Sequence, residues 1–149
     1  MKKLMQFIFV LVFALSLCVC TVEAATLSSG SISLQRASDY FDTYIIDTTS
    51  GAKGEVVVNF RIYTTDVMSS IGVKKIVIQE KSGTRWQEAF TKQGTSSNGL
   101  LDKGADEFSG SYTYKGESGK TYRAIVTICA EDSFGSDSRT VTTRSVIAK

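Results

Sequence analysis

The run Lys120-Thr121-Tyr122-Arg123-Ala124-Ile125-Val126-Thr127-Ile128-Cys129-Ala130 decides how this chain folds. Tyr122, Ala124, Val126, Ile128 and Ala130 recur at every second position, so in an extended chain they all face one way. A period of two is the pleat of a strand with one buried face, whereas a helix would scatter the same residues around its circumference. Arg123, Ile125, Cys129 and Glu131 fall on the other side, which puts the Cys129 thiol away from the Tyr122 face and beside Ile125.

The same pattern repeats outward from this run. Glu55 to Thr65 alternates with Val56, Val58, Phe60 and Ile62 on one face and Glu55, Asn59, Arg61 and Tyr63 opposite. Val73 to Lys81 sets Ile76 and Ile78 against Lys75 and Gln79. Ser82-Gly83 then turns the chain, and Thr84 to Lys92 returns with Trp86 and Phe90 expected on one side, a β-hairpin. Tyr40 to Thr48 reads as a strand closed by Thr49-Ser50-Gly51, and Ser111 to Lys115 as a short aromatic strand before the turn residues Gly116 to Gly119. Asp137 to Ile147, rich in Thr and Arg, reads as an edge strand exposed on one face. Gly94 to Gly110 is polar and long for a loop in a compact domain, so it holds a short strand or serves as a functional loop. No helix is expected after residue 24. About seven strands separated by turns predict an all-β, two-sheet antiparallel sandwich, with a jelly roll or small barrel as the alternative.

Gly119-Lys120-Thr121-Tyr122 and the alternation after it resemble the tyrosine corner of immunoglobulin-like and fibronectin type III sandwiches, over about fifteen residues. Trp86 departs from the immunoglobulin pattern, because it follows a hairpin turn and has no disulfide to pack against. More loosely, Lys75 through Trp86, Ser96-Ser97-Asn98-Gly99 and Gly119 through Val126 resemble small secreted proteins of unknown function in Gram-positive bacteria. That resemblance implies a compartment and a chain layout, and no activity.

The first 24 residues point to export. Lys2 and Lys3 precede an apolar run from Leu4 to Val19, and Val22-Glu23-Ala24-Ala25 offers the small residues a signal peptidase reads. Cleavage is expected after Ala24, since the run falls short of the ~20 residues that span a bilayer. Lipid attachment at Cys18 or Cys20 is disfavoured by the bulky Leu17 and Val19 before them. Residues 25–39, rich in Ser, Thr and Ala, read as a flexible lead-in to a single domain over 40–149. Loss of Lys2, Lys3 and Glu23 lowers the net charge from +2 to +1, which gives no electrostatic footprint for nucleic acid or anionic lipid. No later run is apolar enough for stable membrane insertion. Of three cysteines only Cys129 would remain, so no disulfide within the chain is possible and the fold rests on its core.

Histidine is absent from the chain. Zinc sites with His ligands, Ser-His-Asp and Cys-His nucleophiles and a His general base are therefore excluded. Carboxylate, Ser-Lys or Tyr chemistry is not. A secreted hydrolase would need a carboxylate pair such as Glu131 and Asp132 at the correct separation. Asp102, Asp106 and Glu107, with Gly104 between the aspartates, are spaced oxygen ligands that could hold Ca²⁺, although they match no full calcium loop. Cys129 has no neighbouring base to activate it and reads as a half-buried small hydrophobe. Tyr63, Trp86, Tyr112, Tyr114 and Phe134 are the aromatic residues from which a sugar-stacking platform could be built, each also able to pack in the core. The expected function is a non-catalytic extracellular binding module for a glycan, a cell-wall component or a protein. A self-assembling surface protein and a carboxylate-dependent hydrolase are the alternatives.

Overall fold

The computed structural model describes residues 38–149. The expected signal peptide, and all but the last two residues of the expected lead-in, lie outside the described residues. The strands, in chain order, are β1 (Phe41–Ser50), β2 (Glu55–Met68), β3 (Ser70–Ser82), β4 (Arg85–Gln93), β5 (Leu101–Asp102), β6 (Ala105–Lys115), β7 (Thr121–Glu131), β8 (Ser136–Thr142) and β9 (Val146–Ile147).

Seven long strands divide between two antiparallel sheets. One sheet has the order β1-β2-β6, and the other has the order β4-β3-β7-β8. The short β5 and β9 add to the second sheet through β3 and β7. Consecutive strands β2 and β3 lie in different sheets, as do β6 and β7, so the chain repeatedly crosses between layers. Among the described residues no ladder joins the two sheets, so the fold is an open sandwich and not the small barrel.

The alternation read from the sequence is the alternation that builds the core. Val56, Val58, Phe60 and Ile62 of β2 face Tyr122, Ala124, Val126, Ile128 and Ala130 of β7, with Ile76 and Ile78 of β3 beside them, all buried. The polar stretch from Gly94 is mostly ordered. Thr95 caps a 3-10 turn at Ser96–Asn98 in a reciprocal capping box, and Gly99 ends it in the left-handed conformation. From Ala105 the chain is already in β6, six residues earlier than the aromatic signal marks, because Ser and Gly carry little strand propensity. The last expected strand is broken into β8 and β9 at Thr143. That buried hydroxyl accepts from the Ala124 N–H (2.9 Å) and the Thr48 hydroxyl (2.7 Å), and so binds the two sheets together.

Tyr122 organises one end of the sandwich. Its ring is buried, and a Cβ on Gly116 would stand 2.7 Å from ring atom Cε2, so only glycine allows the β6–β7 turn to lie against it. Its hydroxyl accepts from the Glu117 N–H (3.0 Å) and donates to Glu80 Oε2 (3.0 Å) on β3. Glu80 Oε1 in turn pairs with Lys120 at 3.0 Å. Burial pushes the Tyr122 hydroxyl pKa up, and the Lys120 hydrogen bond, followed by that of Tyr122, holds the Glu80 carboxyl below its usual range.

Tyr122→Phe keeps the ring and orphans the Glu117 N–H. We expect a loss of about 1–3 kcal/mol, read as a lower urea midpoint at unchanged m-value. The depressed Glu80 pKa stabilises the fold fully above the ordinary glutamate value of about 4.3, and this stabilisation is lost as pH falls through the lowered value. Acid titration of stability should therefore be shallower in Lys120→Met than in the parent. An identical acid profile would show that the ion pair contributes nothing.

Candidate functional site

The aromatic residues singled out by sequence do not share a face. Tyr63 is half-buried on the outer side of the β1-β2-β6 sheet, in the row Thr43–Tyr63–Glu107. Tyr112 and Tyr114 point the other way, into the gap between the sheet edges β6 and β4. There Phe90 stacks on Tyr112 at 6.0 Å and tilts against Tyr114 at 5.6 Å, and Tyr114 meets Tyr122 edge-on at 5.8 Å. Phe134 stands 93% exposed at the tip of the β7–β8 turn.

Trp86 corrects the expectation that it shares a side with Phe90. The β3–β4 ladder pairs Ile78 with Phe90 but Gln79 with Glu88, leaving Ala89 as an extra residue. One inserted residue inverts the alternation, so Phe90 faces the core while Trp86, opposite Lys81, lies on the outer face of the second sheet. There the Arg123 guanidinium covers its ring at 4.3 Å and is held by a 2.8 Å bond from Nε to Gln79.

The carboxylates also separate. Asp106 and Glu107 are consecutive in β6 and point to opposite sides, and Asp102 caps the Lys103 N–H at 2.8 Å. Among the described residues no group of three His, Cys, Asp or Glu side chains comes together to hold a metal ion. Asp132, beside Glu131 in the sequence, is engaged in the β7–β8 turn. Its Oδ1 accepts from the N–H groups of Phe134 (2.7 Å) and Gly135 (2.9 Å), which folds the turn that presents Phe134.

What the structure brings together instead is an open trough of about 410 Å³ on the outer face of the β1-β2-β6 sheet. Ile45, Arg61 and Ser109 form one row across its three strands, and Asp47, Asn59 and Ser111 form the next. The depression exists because the β6 side is small. Its outward residues beside Arg61 and Asn59 are only serines, while Gly110 belongs to the inward row, where a Cβ would come within 2.9 Å of the Phe60 ring. Ser109 and Ser111 leave Arg61 and Asn59 accessible from that side. Ile45, 41% exposed, supplies an apolar wall, and Tyr63 follows Arg61 as the next outward residue of β2. The trough thus offers a guanidinium, an amide, a carboxylate and a hydroxyl on a rigid sheet. The sequence marks Tyr63, Arg61 and Asn59 as outward residues of one strand; their grouping with Asp47 and Ser109 requires the register of three strands.

A second depression, of about 290 Å³, lies against the other sheet and contains Cys129 with Lys74, Glu131, Ser70, Ser136 and Ser138. Burial pushes the Cys129 thiol pKa up; Lys74 draws it down and Glu131 raises it again. A thiol so held is mostly protonated near neutrality, which suits packing better than nucleophilic attack. Iodoacetamide at pH 8 should therefore alkylate Cys129 more slowly in the folded protein than in urea. Equal rates would mean that the thiol is activated in the fold. No family model matches this chain, and no curated protein and no solved structure was found to match it.

Proposed function

We propose that this protein is an exported bacterial binding module, without catalytic activity, whose ligand is a cell-wall or surface glycan. The trough on the β1-β2-β6 sheet carries the reading. Its volume lies within the range of about 300–1,000 Å³ usual for small-ligand sites. Its lining alternates donors and acceptors, from Arg61 and Asn59 to Asp47 and Ser109, as recognition of a polyhydroxylated ligand requires. Ile45 and the Tyr63 ring add apolar surface for the C–H faces of a sugar. The signal-peptide features of residues 1–24 support export, and a near-neutral charge fits an uncharged or weakly charged ligand better than nucleic acid.

A pull-down on peptidoglycan and insoluble polysaccharides tests the proposal. Arg61→Ala removes a charged hydrogen-bond donor, worth about 1.5–3 kcal/mol, and should weaken binding at least tenfold. Tyr63→Ala should weaken it too, whereas Trp86→Ala, on the opposite sheet, should leave it unchanged. Circular dichroism checks each variant's fold. Binding that survives Arg61→Ala, or is lost with Trp86→Ala, would remove the ligand from the trough. Failure to retain the parent protein on any matrix would favour a protein ligand.

A further inference from the structure

We infer that the free edge of β6 pairs antiparallel with β6 of a second copy, about a two-fold axis at Ser111, to give one continuous six-stranded sheet. Among the described residues β6 ends its sheet, with β2 on one side and no strand on the other. The edges of the molecule differ in protection. β1 carries Asp42 and Asp47 and a register shift between Phe41 and Thr43. β4 carries Arg85, Glu88 and Lys92 and the bulge at Ala89. β8 is short and contains the Asp137–Arg139 ion pair. β6 is 11 residues long and runs from Phe108 to Tyr114 without charge, proline or register shift. An unprotected edge of that kind is a template for another strand.

Hydrogen-bond parity fixes what can pair there. At the head of the β2–β6 ladder the Gly116 N–H donates to the Gly54 carbonyl, and across β2 the Gly51 N–H donates to the Glu55 carbonyl. Even-numbered residues of β6 therefore bond to β2, and Glu107, Ser109, Ser111, Thr113 and Lys115 turn their N–H and C=O groups to the free edge. A twofold pairing through that edge must match odd residues with odd residues. With Ser111 opposite Ser111, Ser109 meets Thr113, and Glu107 meets Lys115 at each end. Every side chain on the outward row then has a small, polar or oppositely charged partner. On the inward row Gly110 faces Tyr112, so the larger ring lies beside the residue with no side chain, and Phe108 faces Tyr114. No other odd-to-odd register pairs Glu107 with Lys115. The two troughs would lie on the same face of the joined sheet, although the dimer does not depend on either binding a ligand.

Sedimentation equilibrium of the protein recovered from cells expressing the whole sequence should show a monomer–dimer equilibrium. Glu107→Lys places like charges together at both ends of the seam and should weaken the dimer about tenfold; Glu107→Lys combined with Lys115→Glu should restore it. Lys115 also stands opposite Glu55 within the monomer, so thermal unfolding confirms that the double variant is folded. The register has its own test. In a Cys129→Ser background, the Ser111→Cys variant should form a disulfide between the two copies of position 111 on mild oxidation, since directly opposed Cα atoms in such a pair are about 5.5 Å apart. Ser109→Cys, opposite Thr113, should not link to itself. Peptide mass spectrometry identifies the bonds. A protein that stays monomeric up to about 1 mM would overturn the inference, as would a dimer indifferent to Glu107→Lys or one that cross-links equally through position 109.

Discussion

The hydroxyl of Tyr122 ties the β6–β7 turn to β3 at one end of the sandwich, beyond what the β3–β7 ladder alone provides. It receives the Glu117 N–H from the β6–β7 turn and gives its proton to Glu80 on β3, while its ring fills the core between the sheets. A buried phenol without partners would weaken the fold, because a desolvated polar group left without a hydrogen bond costs about 1–3 kcal/mol. Satisfied at both lone pair and proton, it fixes where the chain leaves one sheet and enters the other. Gly116 follows as a consequence, since any side chain there would strike the ring.

From that fixed crossing the remaining geometry is largely alternation and its interruptions. β2 and β7 keep a strict period of two and supply the core. β3 and β4 do not. The extra residue at Ala89 turns Phe90 inward, where it joins Tyr112, Tyr114 and Tyr122, and turns Trp86 outward beneath Arg123. The aromatic residues are thereby shared among an outer face, an inter-sheet edge and a loop tip. No single stacking row forms among them, and the depression on the β1-β2-β6 sheet is lined mainly by polar side chains. The two outer faces also differ in character, one a shallow polar depression and the other a surface where Arg123 already covers the chain's one tryptophan.

Much of the fold was legible in the sequence, and the site much less so. The all-β class, the two-sheet arrangement and the buried faces of β2, β3 and β7 follow from runs such as Val56 to Ile62 and Tyr122 to Ala130. The early start of β6 was hidden because Asp106, Glu107, Ser109 and Gly110 carry no strand signal of their own; pairing with β2 holds them extended. The acidic residues of the same stretch form a cluster only if their backbone is a loop. In a strand, Asp106 and Glu107 must point apart.

The sequence by itself determined the period, and therefore which residues the uninterrupted strands β2 and β7 bury, because side-chain direction in a strand depends only on local backbone geometry. It also determined the chemistry available: no histidine, one cysteine in the domain, and carboxylates spread thinly. The tertiary structure alone decided which strands are neighbours and in what register. Ile45, Arg61 and Ser109 become one row only through two ladders that join residues far apart in the chain, and Trp86 leaves the core only because β4 gains a residue on β3. Register is a property of pairs of strands, set by packing across the whole core, and no single stretch of sequence contains it.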